Sequence, residues 1–187
     1  MKESSELLEF AKRQNYLIVD DEKLVYDVIE KVFKYYDFKN VVIRDSPQGA
    51  LDYLHENKNS APENRTNFVI SDYIMHPIYG TEMMRRAKES PINFVGEVLF
   101  MSGTPYGLSS RDTRLKEYMR DFGLDPQKNF LYKPMTIESL LERVIDICQD
   151  LPNAPKRNLT YQLPKTPQQA SGISGGLNYP LGKFALQ

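Results

Sequence analysis

Residues 16 to 22 read Tyr-Leu-Ile-Val-Asp-Asp-Glu, an apolar run that ends in three consecutive acids. A short run that is rich in β-branched residues and has no polar alternation is typical of a strand covered on both faces. Residues 24 to 36 then carry apolar side chains at the 3.6-residue spacing of an amphipathic helix. This stretch therefore predicts a buried strand, a polar turn and a helix, which is the first unit of an α/β fold.

The same alternation continues to residue 149. Further strands are predicted at 41–43, 68–70, 98–101 and 130–132, where short apolar runs recur. Further helices are predicted from residue 47 to about 57, from 80 to 88, around 115 to 122 and from 137 to 148, the last capped by Thr136. Right-handed crossovers then give a doubly wound, five-stranded parallel sheet with helices on both faces.

Charge and composition divide the chain into three parts. The 187 residues hold 24 Lys+Arg and 25 Asp+Glu, but residues 151 to 187 contain four basic residues and no acid. That segment is rich in Pro, Gly, Ser and Gln and has no apolar period, which is typical of an extended or disordered tail. We expect a lead-in with a short amphipathic helix over residues 1–14, one domain over 15–149 and a basic tail over 150–187.

Composition also excludes several classes of protein. Cys148 is the single cysteine and no Cys/His cluster has zinc spacing, which excludes an internal disulfide scaffold and a zinc module and favours a cytoplasmic location. No apolar run approaches the roughly 18 residues of a membrane span, and the charged N-terminus is unlike a signal peptide. The tail is too short for a DNA-binding output domain, so we expect none.

Polar residues directly follow the predicted strands, at the sheet edge where open parallel sheets bind ligands. They are Asp20, Asp21 and Glu22 after the first strand, Asp72 after the third, Ser102 after the fourth and Lys133 after the fifth. Carboxylates crowded into one cleft repel each other unless a divalent cation lies among them, and oxygen ligands without His or Cys suit Mg²⁺. Because Mg²⁺ keeps open positions for phosphate oxygens, this pattern predicts a site that accepts a phosphoryl group.

Asp72 is the candidate nucleophile, because a carboxylate can form an aspartyl phosphate. The ammonium of Lys133 and the hydroxyl of Ser102 are candidates for binding the phosphoryl oxygens. Each residue alone also has an ordinary structural explanation, such as helix capping by Asp20 and Asp21. Their shared position just past buried strands favours the functional interpretation.

With these residues the chain resembles the receiver domains of two-component response regulators over residues 15 to 149, and in particular the stand-alone chemotaxis type. The matching positions are Asp20 and Asp21 in Leu-Ile-Val-Asp-Asp-Glu, Asp72 in Val-Ile-Ser-Asp-Tyr-Ile-Met, Gly80, Ser102 followed by Gly103, and Lys133 followed by Pro134. The resemblance implies a flavodoxin-like sheet with strand order 2-1-3-4-5.

The resemblance also implies a role for each residue of the site. Asp72 would be the phosphoacceptor, with Ser102 and Lys133 in contact with the phosphoryl group. The implied Mg²⁺ ligands are Asp72, Asp21, Asp20 through water, and the backbone carbonyl of Ile74. Phe130, three positions before the lysine, would be an aromatic switch residue that acts together with Ser102. The Lys133–Pro134 bond would be cis, and His76 stands where the family usually has proline.

The expected function is therefore that of a signalling switch. A histidine kinase or phosphotransfer protein would donate the phosphoryl group, and the phosphorylated form would bind a downstream protein target. The chain would be no enzyme beyond catalysing its own phosphotransfer and dephosphorylation. Two alternatives stay open: a receiver-like interaction module that is not phosphorylated, and, less favoured, an Asp-nucleophile phosphatase, for which the Asp-x-Asp pair after the first strand is missing.

Overall fold

A computed structural model describes residues 3–103 and 113–155 and contains five strands and seven α-helices within those ranges. The strands are β1 (Asn15–Val19), β2 (Asn40–Arg44), β3 (Phe68–Asp72), β4 (Glu97–Ser102) and β5 (Phe130–Tyr132). The helices are α1 (Glu3–Lys12), α2 (Lys23–Tyr35), α3 (Pro47–Asn57), α4 (Gly80–Lys88), α5 (Thr113–Asp121), α6 (Pro126–Asn129) and α7 (Ile137–Cys148). A single turn of 3₁₀-helix covers Pro62–Asn64.

All strand pairs are parallel and the order across the sheet is β2-β1-β3-β4-β5. At the centre, Ile18 of β1 is in register with Ile43 of β2 on one side and Ile70 of β3 on the other. The strand order therefore reverses between β1 and β3, which opens a crevice at their carboxyl ends. This confirms the predicted fold class and strand order.

The helices form one layer on each face of the sheet, because successive strand residues point in opposite directions. In β1, Tyr16 and Ile18 join a buried cluster with α1, α2 and α7, whereas Leu17 and Val19 join a second cluster with α3, α4 and α5. Both faces of the central strands are fully buried. This explains why the strands read as unbroken apolar runs.

Local signals fix where helices begin. The Ser46 hydroxyl accepts a hydrogen bond from the Gly49 N–H at 3.3 Å, and Pro47 occupies the first position of α3. At the start of α7, Thr136 and Ser139 each accept from the other's backbone N–H at 3.1 Å, which is a reciprocal capping arrangement. The cap predicted at Thr136 is confirmed.

The amphipathic lead-in is helical, as predicted, and α1 belongs to the core. Leu7, Leu8 and Ala11 are buried in the cluster that also holds α2 and α7. The Tyr16 hydroxyl donates to the Ala11 carbonyl at 2.7 Å. Backbone hydrogen bonds close the turn between α1 and β1. The lead-in therefore stabilises the end of the sheet opposite the crevice.

Residues 1–2, 104–112 and 156–187 lie outside the described residues. The basic tail is therefore outside the described residues from 156 onward, but Leu151, just after α7, is buried against the core. The segment between Ser102 and Lys133 is described except for residues 104–112. Its described part includes α6, a short helix that the sequence pattern did not predict. Within the described ranges, none of the helices combines the length and apolar content that a membrane crossing requires.

Candidate phosphoacceptor site

The crevice at the carboxyl ends of β1 and β3 holds two buried acids. Val19 of β1 is in register with Ser71 of β3, so Asp20 and Asp72, one residue further along each chain, emerge side by side. Asp20 is fully buried and Asp72 is 4% exposed. Two carboxylates that are neighbours inside a protein need positive charge close by.

Lys133 supplies that charge from the end of β5. Its backbone N–H donates to the Ser102 carbonyl at 2.8 Å, which anchors the residue beside the end of β4. Its side-chain Nζ lies 2.8 Å from Asp20 Oδ2 and 3.2 Å from Asp72 Oδ1, and the side chain is only 1% exposed. A buried ammonium therefore bridges the two buried carboxylates, and three residues distant in sequence meet as predicted.

Burial dominates the protonation behaviour of the three groups. Burial raises the pKa of Asp72 from 3.8 to about 7, against the opposing effect of the Lys133 charge. Burial raises the pKa of Asp20 as well, again against Lys133. Burial alone would lower the pKa of Lys133, but the charges of Asp72 and Asp20 raise it above its usual value. The site is thus short of positive charge, which favours binding of a cation.

Three carboxylate oxygens, one each from Asp20, Glu22 and Asp72, lie within 4.8 Å of one another. Such hard oxygen donors fit Mg²⁺ and not a thiol- or imidazole-preferring metal. Asp21, which the family resemblance implies as a direct ligand, is exposed and is not a member of this group. The third oxygen comes instead from Glu22, whose Oε1 lies 3.5 Å from Lys133 Nζ. The acidic run after β1 was visible in the sequence, but the sequence did not show which of Asp21 and Glu22 lies beside Asp20 and Asp72.

The chain beyond Asp72 borders the mouth of the site. The Tyr73 N–H donates to the Met101 carbonyl at 2.7 Å and its side chain is buried, whereas Ile74 is 37% exposed. His76 is exposed on the loop before α4, next to a cis peptide bond to Pro77. The Lys133–Pro134 bond is also cis, as the family resemblance implied.

Ser102 and Phe130, the suggested switch pair, lie on neighbouring strands. Ser102 is fully buried at the end of β4, in register with Tyr132. Phe130 is 3% exposed and packs into the cluster formed with α3, α4 and α5; its ring centroid lies 5.0 Å from that of Tyr132, which is 42% exposed. Phe130 thus occupies an inward position in this structure.

Gly80, at the start of α4, lies so close to the backbone of Asp72 that no side chain fits. Its N–H donates to the Tyr73 carbonyl at 2.9 Å, and a Cβ built on it would lie 2.2 Å from the Asp72 carbonyl oxygen. We expect Gly80→Ala to lower the free energy of unfolding by about 2 kcal/mol or more, because backbone must move to relieve the overlap.

Chemical denaturation measures this effect, with Gly103→Ala as the matched control, since a Cβ at Gly103 meets no atom within 4 Å. A Gly80→Ala protein as stable as the Gly103→Ala protein would contradict the close approach.

Comparison with known proteins shows which solved structures share this fold. No protein-family model and no curated protein matches the chain. Among solved structures it is similar to a response regulator receiver domain protein from Clostridium thermocellum, with 21% identity and a TM-score of 0.55 over 73% of this chain and 94% of that chain. The chemotaxis protein CheY4 of Vibrio cholerae gives 19% identity and a TM-score of 0.56 over 72% and 98%. The receiver domain of the hybrid histidine kinase CckA gives 25% identity and a TM-score of 0.53 over 72% and 99%. The chain has the receiver-domain fold.

Proposed function

We propose that this chain, which has the fold of a response-regulator receiver domain, accepts a phosphoryl group on Asp72 from a histidine kinase or phosphotransfer protein. In its phosphorylated form it binds a downstream protein target. Residues 15–149 act as the receiver. The protein works in the cytoplasm and catalyses only its own phosphotransfer and dephosphorylation.

The observation that carries this proposal is the position of Lys133. The Lys133 ammonium lies within 3.2 Å of the nearly buried Asp72. A purely structural role does not explain this pair, because apolar residues at the same positions would stabilise the folded protein at least as well. The ammonium is well suited to bind a phosphoryl oxygen next to Asp72. The same side chain also keeps Asp20 in place, at 2.8 Å.

The chemistry is an in-line phosphoryl transfer. An Asp72 carboxylate oxygen attacks phosphorus, the P–N bond of a phosphohistidine breaks as the new P–O bond forms, and the bonding pair leaves with the imidazole nitrogen. Lys133 donates to a phosphoryl oxygen and balances the charge that develops there. The Ser102 hydroxyl, at the end of β4, donates to a second oxygen.

Asp20, Asp72, the backbone carbonyl of Ile74 and a third carboxylate would hold Mg²⁺ in this site. By the family resemblance the third carboxylate is Asp21, whereas Glu22 is the residue whose oxygen lies beside those of Asp20 and Asp72. The metal supplies neutralising charge for the phosphoryl oxygens. The raised pKa of Asp72 and the three oxygens within 4.8 Å both support a cation requirement.

Phosphorylation brings the total charge at Asp72 to nearly −2. The new group draws Ser102 and Lys133 toward it, which frees space near β4 for Phe130 to change its packing. Because Phe130 and the half-exposed Tyr132 are edge to face on β5, repacking of one alters the surface around the other. The target protein reads this altered surface.

A small phosphodonor tests the proposal directly. Wild-type protein is incubated with acetyl phosphate and Mg²⁺, and its intact mass is measured beside that of Asp72→Asn. We expect one phosphoryl group on the wild type, none on the variant and none on either when the metal is chelated. Equal labelling of both proteins would rule out Asp72 as the acceptor.

Ile74 borders the path of a water that would attack the phosphorylated Asp72, and an apolar side chain there offers no hydrogen bond to it. We expect Ile74→Asn to shorten the half-life of the aspartyl phosphate by about fivefold, which is the effect of one hydrogen bond worth about 1 kcal/mol. The loss of phosphate is followed by intact mass after removal of the donor. Val95→Asn changes a residue that is 87% exposed and should keep the wild-type half-life, whereas an unchanged half-life in Ile74→Asn would refute this role.

A further inference from the structure

Glu22 makes a contact with Lys133 that the proposed phosphoryl transfer does not use. It directly precedes α2, and its backbone N–H donates to Asp20 Oδ1 at 2.9 Å. Its side-chain Oε1 lies 3.5 Å from Lys133 Nζ, and the side chain is 57% exposed. Lys133 therefore has three carboxylates around it, of which two are buried and one reaches in from solvent.

The Glu22 carboxylate is not used by the helix that it precedes. Glu22 is the N-cap residue of α2, but its side chain makes no capping hydrogen bond. An N-cap side chain usually satisfies one of the free N–H groups of the first turn. Here the side chain is directed to Lys133 instead, so it can leave that position without loss of a helix cap.

The three contacts of Lys133 differ in how easily they break. Asp20 and Asp72 are held at 2.8 and 3.2 Å, with side chains 0% and 6% exposed, and neither can reach water without a change in the strand ends. The Glu22 contact is longer and half in solvent, where an ion pair is weak and easily exchanged for hydration. Of the three, Glu22 is the one that a newly arrived anion can displace.

We infer that Glu22 acts as a releasable restraint on Lys133: its carboxylate holds the ammonium while Asp72 is unmodified and is expelled when a phosphoryl group arrives. This inference rests on the proposed phosphorylation of Asp72. Glu22 is a positioning residue, since it acts through Lys133. Phosphoryl oxygens compete for the same ammonium, and their charge repels the nearby carboxylate.

The restraint also predicts a kinetic effect. Within this site the Glu22 oxygen lies within 4.8 Å of an Asp72 oxygen, so it repels an anionic phosphodonor. With the screening of water, one unit charge at that distance changes a rate by about fourfold. Glu22→Gln should therefore be phosphorylated by acetyl phosphate about fourfold faster at saturating Mg²⁺, whereas Glu56→Gln, which removes an exposed charge near the end of α3, should keep the wild-type rate.

The ammonium resonance of Lys133 tests the restraint itself. In ¹⁵N-lysine-labelled protein the buried ammonium is recorded for wild type, Glu22→Gln and Glu56→Gln, first unmodified and then phosphorylated. We expect the Glu22→Gln resonance to be shifted and to exchange faster with water before phosphorylation, and to coincide with the wild type afterwards. Glu56→Gln should match the wild type in both states.

The outcomes separate this inference from the proposed function. Identical resonances of wild type and Glu22→Gln before phosphorylation would overturn the restraint, whatever happens later. A difference that persists after phosphorylation would overturn the release. If no phosphoryl group is incorporated at all, the proposed function fails and the release with it, while the first spectrum still decides whether Glu22 holds Lys133.

Discussion

Lys133→Met is expected to lower the free energy of unfolding by about 3 kcal/mol or more at pH 8 without metal. Methionine fills a similar space but leaves Asp20 and Asp72 buried and adjacent with no positive charge between them. Removal of one member of a buried ion pair typically costs about 3–5 kcal/mol, because the remaining charge is left uncompensated. Urea denaturation in the presence of a chelator measures the loss.

Two comparisons make the result specific. Lys128→Met removes the ammonium of a surface ion pair with Asp150, and it should cost less than about 1 kcal/mol. Saturating Mg²⁺ should restore part of the stability of Lys133→Met, since the cation replaces the missing charge. A Lys133→Met protein that is no less stable than Lys128→Met would show that the carboxylates do not depend on Lys133.

Asp72→Asn is expected to stabilise the metal-free protein, and the gain should depend on pH. The pKa of Asp72 is about 7 in the folded protein and near 3.8 when it is unperturbed. Between these values the folded form holds a proton that the unfolded form has lost, so the stability of the wild type falls as pH rises through this window. The difference of the two pKa values corresponds to about 4 kcal/mol, which is the upper limit of the gain.

Asparagine carries no charge to bury at any pH. The gain from Asp72→Asn should therefore be small at pH 4.5 and largest at pH 8, in denaturation curves measured with a chelator present. Asp52→Asn, on the exposed side of α3, is the matched control and should show no gain with this pH profile. Equal stability of Asp72→Asn and wild type at pH 8 would contradict the raised pKa of Asp72.

The strands and most helices were predictable because their signals are local. A parallel strand buried on both faces must be an apolar run, and the five runs match the five strands within one or two residues at each end. By contrast, α6 covers only four residues and has no apolar period. Its signals are Asp125, which accepts from the Gln127 N–H at 2.8 Å, and Pro126 at its first position. The sequence also indicated a helical lead-in, but the surface that α1 covers depends on contacts distant in the chain.

The site was predictable as far as topology alone determines it. Parallel strands bring the carboxyl ends of β1, β3 and β5 to one edge, which is why Asp20, Asp72 and Lys133 could be grouped from the sequence. The choice between Asp21 and Glu22 as the third carboxylate depends on the path of the chain between β1 and α2. No local pattern fixes that path, so the contact of Glu22 with Lys133 became visible only in the structure.

The most direct test of the central claim is to locate the phosphoryl group by chemistry. Protein labelled with acetyl phosphate and Mg²⁺ is reduced with borohydride, which converts an aspartyl phosphate into homoserine, and the modified position is then identified by peptide mass spectrometry. The account predicts homoserine at position 72 in the wild type and at no position in Asp72→Asn. Homoserine at position 20 or 21 in place of 72, or in none of the peptides of a labelled protein, would contradict it.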